Sequence, residues 1–158
     1  MINSEWDEAL KKLVDSPENN HDFVQILFPN RNASKHANEH VFLGQGDDVI
    51  KDLIQSDFQS KLKDSLPKML SHWGFKIDST GNVTLDSYKF DNTKKYVIIK
   101  NHNQLRITRV LECLRLFKGN DTYLKTISES FYKQLCDLDI NYDNLSDAFS
   151  KWTSAHFG

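Results

Sequence analysis

Asn101-His102-Asn103-Gln104-Leu105-Arg106-Ile107-Thr108-Arg109-Val110-Leu111-Glu112-Cys113-Leu114-Arg115-Leu116-Phe117 is the stretch that decides the fold. At ~100° per residue around an ideal helix, Ile107, Val110, Leu111, Leu114 and Phe117 make one apolar face. Leu105 and Leu116 fall nearly opposite. Gln104, Thr108, Glu112 and Arg115 form a strip that reads as solvent-facing. His102, Arg106, Arg109 and Cys113, spaced i, i+4, i+7 and i+11, form a second polar line with apolar residues on both sides. Such a helix is nearly enveloped by neighbours, so the stretch predicts a central helix in a helical protein. A buried guanidinium without acceptors costs several kcal/mol. Arg106 and Arg109 therefore need carboxylates of the chain or an external anion.

Working outward, the helical period recurs on both sides. Trp6, Leu10, Leu13 and Val14 predict a helix over Ser4 to Asp15, with Ser4 as its cap. Ser16-Pro17-Glu18-Asn19-Asn20 breaks the chain. A short helix over His21 to Phe28 stops at Pro29, and a polar loop runs from Asn30 to about Gly46. Asp47 opens a long pattern through Val49, Leu53, Ile54, Phe58 and Leu62. Pro67 kinks or restarts it, and Gly74 closes it. Between 75 and 100, Ser79-Thr80-Gly81-Asn82 signals a turn, and either Val83-Thr84-Leu85 or Tyr96-Val97-Ile98-Ile99 reads as a short strand. Asn101 and Gln104 have capping-box spacing. Two further helices are expected, at about Asp121 to Cys136 and about Asn144 to Ser154.

Composition bounds the function. The chain has 158 residues, 39% hydrophobic and 27% charged, with six Gly and three Pro. That is the composition of a globular domain, and a chain of this length buries about 70% of its unfolded surface. Twenty basic against 22 acidic residues give a net charge of −2. So even a balance supplies no bulk attraction to nucleic acid or an anionic membrane, and neither is expected as a partner. The acidic start has no signal-peptide h-region, and the longest apolar run is Tyr96 to Ile99. Cys113 and Cys136 lack CxxC spacing and read as reduced thiols. A cytoplasmic location follows as the expectation.

The candidate chemistry is sparse. His36 and His40 have i, i+4 spacing but lie in a predicted loop with no third ligand near, so no metal is assigned. Gly44-Gln45-Gly46 lacks a third glycine and a preceding strand, so it marks no nucleotide cofactor, and none is expected. Cys113 lies in line with two arginines, a setting that can lower a thiol pKa, yet most buried helical cysteines are inert. On the short helix His21 and Gln25 share one polar side at i, i+4, with Asp22 beside them.

Two segments together resemble the N-terminal conserved domain of the opioid growth factor receptor family. They are His21-Asp22-Phe23-Val24-Gln25-Ile26-Leu27-Phe28-Pro29 and His102-Asn103-Gln104-Leu105-Arg106-Ile107-Thr108-Arg109-Val110-Leu111. Met69-Leu70-Ser71-His72-Trp73-Gly74 stands where the family has an apolar helix end closed by glycine. The resemblance covers about residues 1 to 135. It implies a mostly helical fold and supplies no catalytic residues. Vertebrate members carry C-terminal repeats and nuclear-targeting signals, whereas this sequence has no repeats and only the basic doublet Lys94-Lys95. The enkephalin pentapeptide named for the family is therefore not carried over. The chain looks like a stand-alone relative of microbial or viral type.

The expected fold is one all-α domain over residues 1–158, an irregular bundle of about six to seven helices with room for one minor β-hairpin between residues 80 and 100. The expected function is that of a non-enzymatic binding or interaction domain. Its candidate ligand site is His21, Asp22, Gln25, His102, Asn103, Arg106 and Arg109. Arginine forks suit an anionic or carboxylate-bearing small molecule or peptide. The same residues could instead form a sealed network that locks two helices together. The other readings are an enzyme using this cluster on a small anionic substrate, and a purely structural protein–protein interaction module.

Overall fold

The computed structural model describes residues 3–20, 23–29 and 57–158. Its elements run α1 (Asn3–Asp15), α2 (Phe23–Leu27), α3 (Phe58–His72), β1 (Phe75–Ile77), β2 (Val83–Leu85), α4 (Ser87–Ile98), α5 (His102–Phe117), α6 (Thr122–Asn141) and α7 (Ser146–Phe157). The described residues thus hold seven helices and one two-stranded sheet, the all-α architecture with a minor hairpin that the apolar spacing predicts. Two compact units divide the chain, residues 1–69 and 70–158. His21, Asp22, the predicted loop with His36, His40 and Gly44-Gln45-Gly46, and the predicted helix start at 47–56 lie outside the described residues.

In the first unit, α1 packs on α2. Trp6, Ala9 and Leu13 are buried on one side of α1 because they recur at helical spacing. α2 has five residues, too few to be stable as an isolated helix. Burial of Phe23, Val24, Leu27 and the following Phe28 holds it instead. α3 buries Phe58, Leu62, Leu66 and Met69 along one stripe. Pro67 lies inside this helix, which runs on through it without the restart that was one of the two expectations. A proline there forfeits one backbone hydrogen bond, and the stripe on either side outweighs that loss. The Lys61 ammonium stands 5.7 Å over the Trp6 ring.

In the second unit, Gly74 turns the chain out of α3 with φ +91°. β1 and β2 pair antiparallel, with Phe75 opposite Leu85 and Ile77 opposite Val83. The Asp78 carboxylate closes their turn by accepting from Thr80 Oγ1 (2.6 Å), Thr80 N–H (2.8 Å) and Asn82 N–H (3.0 Å). Those bonds hold its pKa below the usual carboxylate range. The hairpin therefore starts before residue 80, and of the two candidate strands Val83–Leu85 is the one that forms. Tyr96 to Ile98 instead end α4, which the sequence pattern did not reveal. Asp86 caps that helix by accepting from Tyr88 N–H (3.1 Å). Phe90 and Val97, two turns apart, are its buried residues, and the Lys, Asp and Asn between them hide the period.

The second core lies where α5 meets α4, α6 and α7. Ile107, Val110, Leu111, Leu114 and Phe117 are wholly buried, the face expected from the sequence. α6 contributes Leu124, Ile127, Phe131 and Leu135, and Asp121 caps it through Leu124 N–H (2.9 Å). Phe131 stacks on Trp73 (6.2 Å, 5°) and meets Phe75 edge-on (5.4 Å, 76°). Ser130 Oγ accepts from Val83 N–H (2.8 Å), which fastens the hairpin to α6.

Candidate functional site

The start of α5 is set by Asn101, whose Oδ1 accepts from Asn103 N–H (2.7 Å). Gln104 does not reach back to complete a capping box. Its Nε2 donates to Val97 O (2.8 Å) and ties α5 to the end of α4. From this start the polar line divides. Asn103 is wholly buried, and its Oδ1 accepts from Trp73 Nε1 (3.0 Å). Arg106 is 7% exposed. Arg109 is half-buried, and burial lowers its pKa against the opposing pull of Cys113 and Glu112. His102 is exposed, at the rim of the buried arc. On the opposite side Leu105 is 61% exposed, so the helix is less enveloped than its two apolar faces predict.

Four of the seven candidate residues thus share α5 of the second unit. Gln25 is buried on α2 of the first. His21 and Asp22 fall outside the described residues. Cys113 is wholly buried, and burial pushes its thiol far above the usual range, with Arg109 opposing too weakly to matter. Among the described residues, no group of three or more His, Cys, Asp or Glu could hold a metal ion.

The strip Gln104, Thr108, Glu112 and Arg115 holds what the sequence did not reveal. It reads as solvent-facing, yet all four residues are half-buried and line hollows beside α7. Gln104 O accepts from Trp152 Nε1 (3.0 Å), and Arg115 Nε donates to Ala155 O (3.0 Å). These contacts advance together along both helices, so α5 and α7 run in the same direction. Between them lie two hollows. One, of about 730 Å³, opens between the first turns of the two helices. The other, of about 340 Å³, continues toward Arg115 and Ser154. Both are lined by Thr108, Ser150 and Lys151, so they follow one seam.

The larger hollow has two chemistries. Leu105 and Ala148 give it an apolar part. Lys100 and Lys151 bring ammonium groups, and neither has an ion-pair partner among the described residues. Asp147 contributes one carboxylate at the rim. The N-cap of α7 is Leu145, which offers no side-chain acceptor, so the first amides of α7 add positive potential at the same end. The clue in the sequence was slight. Small residues Ala148, Ser150, Ser154 and Ala155 recur along α7 and leave room beside a polar strip.

Compared with known proteins, residues 1–145 match the model of the opioid growth factor receptor (OGFr) conserved region. No curated protein and no solved structure matches the chain. The matched span includes all of α5 and ends one residue before α7.

Proposed function

The chain belongs to the opioid growth factor receptor conserved-region family, and from that footing we propose that it is a non-enzymatic binding domain. Its ligand is an anionic, carboxylate-bearing small molecule or peptide held in the α5–α7 groove. The observation that carries this reading is an exposed Leu105 beside two lysines that have no ion-pair partner among the described residues, in a hollow of about 730 Å³. That volume lies in the range of small-molecule sites, which combine an apolar lining with a few placed polar groups. Lys100 and Lys151 would take the carboxylate, with the open first turn of α7 behind them. Leu105 and Ala148 would take the ligand's apolar body.

In this reading Asn103 and Arg106 serve the site indirectly, by fixing α5 from its buried side. The reading is non-enzymatic because neither hydroxyl of the larger hollow, Thr108 or Ser150, has a histidine or carboxylate partner among the described residues; Thr108 Oγ1 donates to Gln104 O. Cys113, the one nucleophile weighed from the sequence, is wholly buried on another side of α5.

Hexanoate offers charge and an apolar chain, and inorganic phosphate offers charge alone. Each is titrated into the wild-type protein while backbone amide shifts are followed. The reading expects hexanoate shifts gathered at residues 100–108 and 144–151. Lys100→Gln/Lys151→Gln should weaken hexanoate at least about fivefold, the effect of roughly 1 kcal/mol of lost charge interaction. Shifts absent from these residues, or unchanged affinity in the double variant, would overturn it.

A further inference from the structure

His156 is a titratable residue with a sheltered polar atom that has no hydrogen-bond partner among the described residues. The atom is Nδ1. The ring lies flat on Tyr132 of α6 (4.3 Å between centroids, 7° between planes). Phe157 stands edge-on to both, at 5.3 Å from Tyr132 and 4.7 Å from His156. Phe149 also stacks on Tyr132 (5.8 Å, 11°), and the Tyr132 hydroxyl shares a hydrogen bond with Thr153 Oγ1 (2.8 Å). One tyrosine of α6 is thus gripped by Phe149, Thr153, His156 and Phe157, which lie on one face of α7.

We propose that neutral His156 latches the last turn of α7 onto α6 and that protonation releases it. A neutral imidazole can carry its proton on Nε2 and leave Nδ1 as a bare acceptor at small cost. The cation cannot, because both ring nitrogens become donors, and one would be buried without an acceptor. The surrounding charges do not repair this. Lys118, just beyond α5, opposes the proton, and Glu129 on α6 favours it. Tyr132, Cys136 and Asp139 of α6 are further titratable groups on that side among the described residues, and Arg115 of α5 reaches Ala155 O, the carbonyl just before His156.

Burial first, then Lys118, holds the imidazole below its ordinary 6.5, against the smaller pull of Glu129. As pH falls, an unfolded or released turn takes up the proton before the docked one does. The hold is therefore complete above 6.5 and is lost as pH falls from 6.5 through the docked value. Ser154 and Ala155 line the smaller hollow, so the latch also sets one wall of the groove. That last consequence alone rests on the groove reading, and the test below uses ligand-free protein, so the two can fail separately.

The His156 imidazole is titrated by NMR in the full chain. Hydrogen-exchange protection factors are measured for the amides of 154–157, with mid-α6 amides as reference. Going from about pH 7.5 to about pH 5, the latch expects protection of the last turn to fall severalfold relative to α6, between 6.5 and the midpoint of the His156 titration. His156→Phe, which keeps a ring on Tyr132 and cannot take a proton, should remove the dependence. Titration at or above 6.5, protection that does not change, or the same fall in His156→Phe would overturn the proposal. The two wild-type midpoints decide it by themselves where the variant does not fold.

Discussion

Arg106 and Asn103 sit in the core at a cost that only good partners offset. A guanidinium only 7% exposed calls for acceptors around it. Arg106→Met keeps much of the apolar stem and orphans those acceptors, so urea unfolding should show a loss of about 3 kcal/mol or more. Unchanged stability would mean that the charge is kept for something absent from the ligand-free protein. Asn103 accepts from the wholly buried Trp73 indole. Asn103→Ala leaves that N–H without its partner and should cost about 1–3 kcal/mol in the same measurement.

Among the elements, the connection from α3 into the hairpin tolerates the least change. A Cβ on Gly74 would collide with Thr93 Oγ1 and come 3.0 Å from Phe90 Cα, at a φ of +91°. Gly74→Ala should lower thermal stability by about 2 kcal/mol or more, since both the conformation and the contact oppose it. α5 was legible in the sequence because five apolar residues keep the helical period behind an asparagine cap. α4 was not, because Phe90 and Val97 alone mark its buried side. β1 has three residues, too few for an alternation to show. The groove stayed hidden for a different reason. Gln104, Thr108, Glu112 and Arg115 are polar, and polarity at helical spacing says where solvent is tolerated, not whether a small-residue helix lies across it. The pattern did mark α5 as central and Arg106 as buried, and it misjudged His102, one turn back on the same line.

For the whole molecule, charge is the property that reaches furthest. Twenty basic and 22 acidic residues leave −2, and the lysines of the groove are a local exception to that balance. The intact protein should pass through a heparin column at about 0.15 M salt without retention, because exposed charges are screened beyond about 8 Å. Retention there would point to a wider basic surface than the groove. The succession of elements also carries a consequence. One wall of the groove is α5 and the other is α7, with the whole of α6 between them in the chain. While the protein is being made, α5 leaves the ribosome with that flank bare. Its partner follows only after some thirty further residues have been added, at about 5–20 residues per second. For those seconds the seam beside Leu105 has only one wall, so the α5–α7 groove is the part of this unit that is completed last.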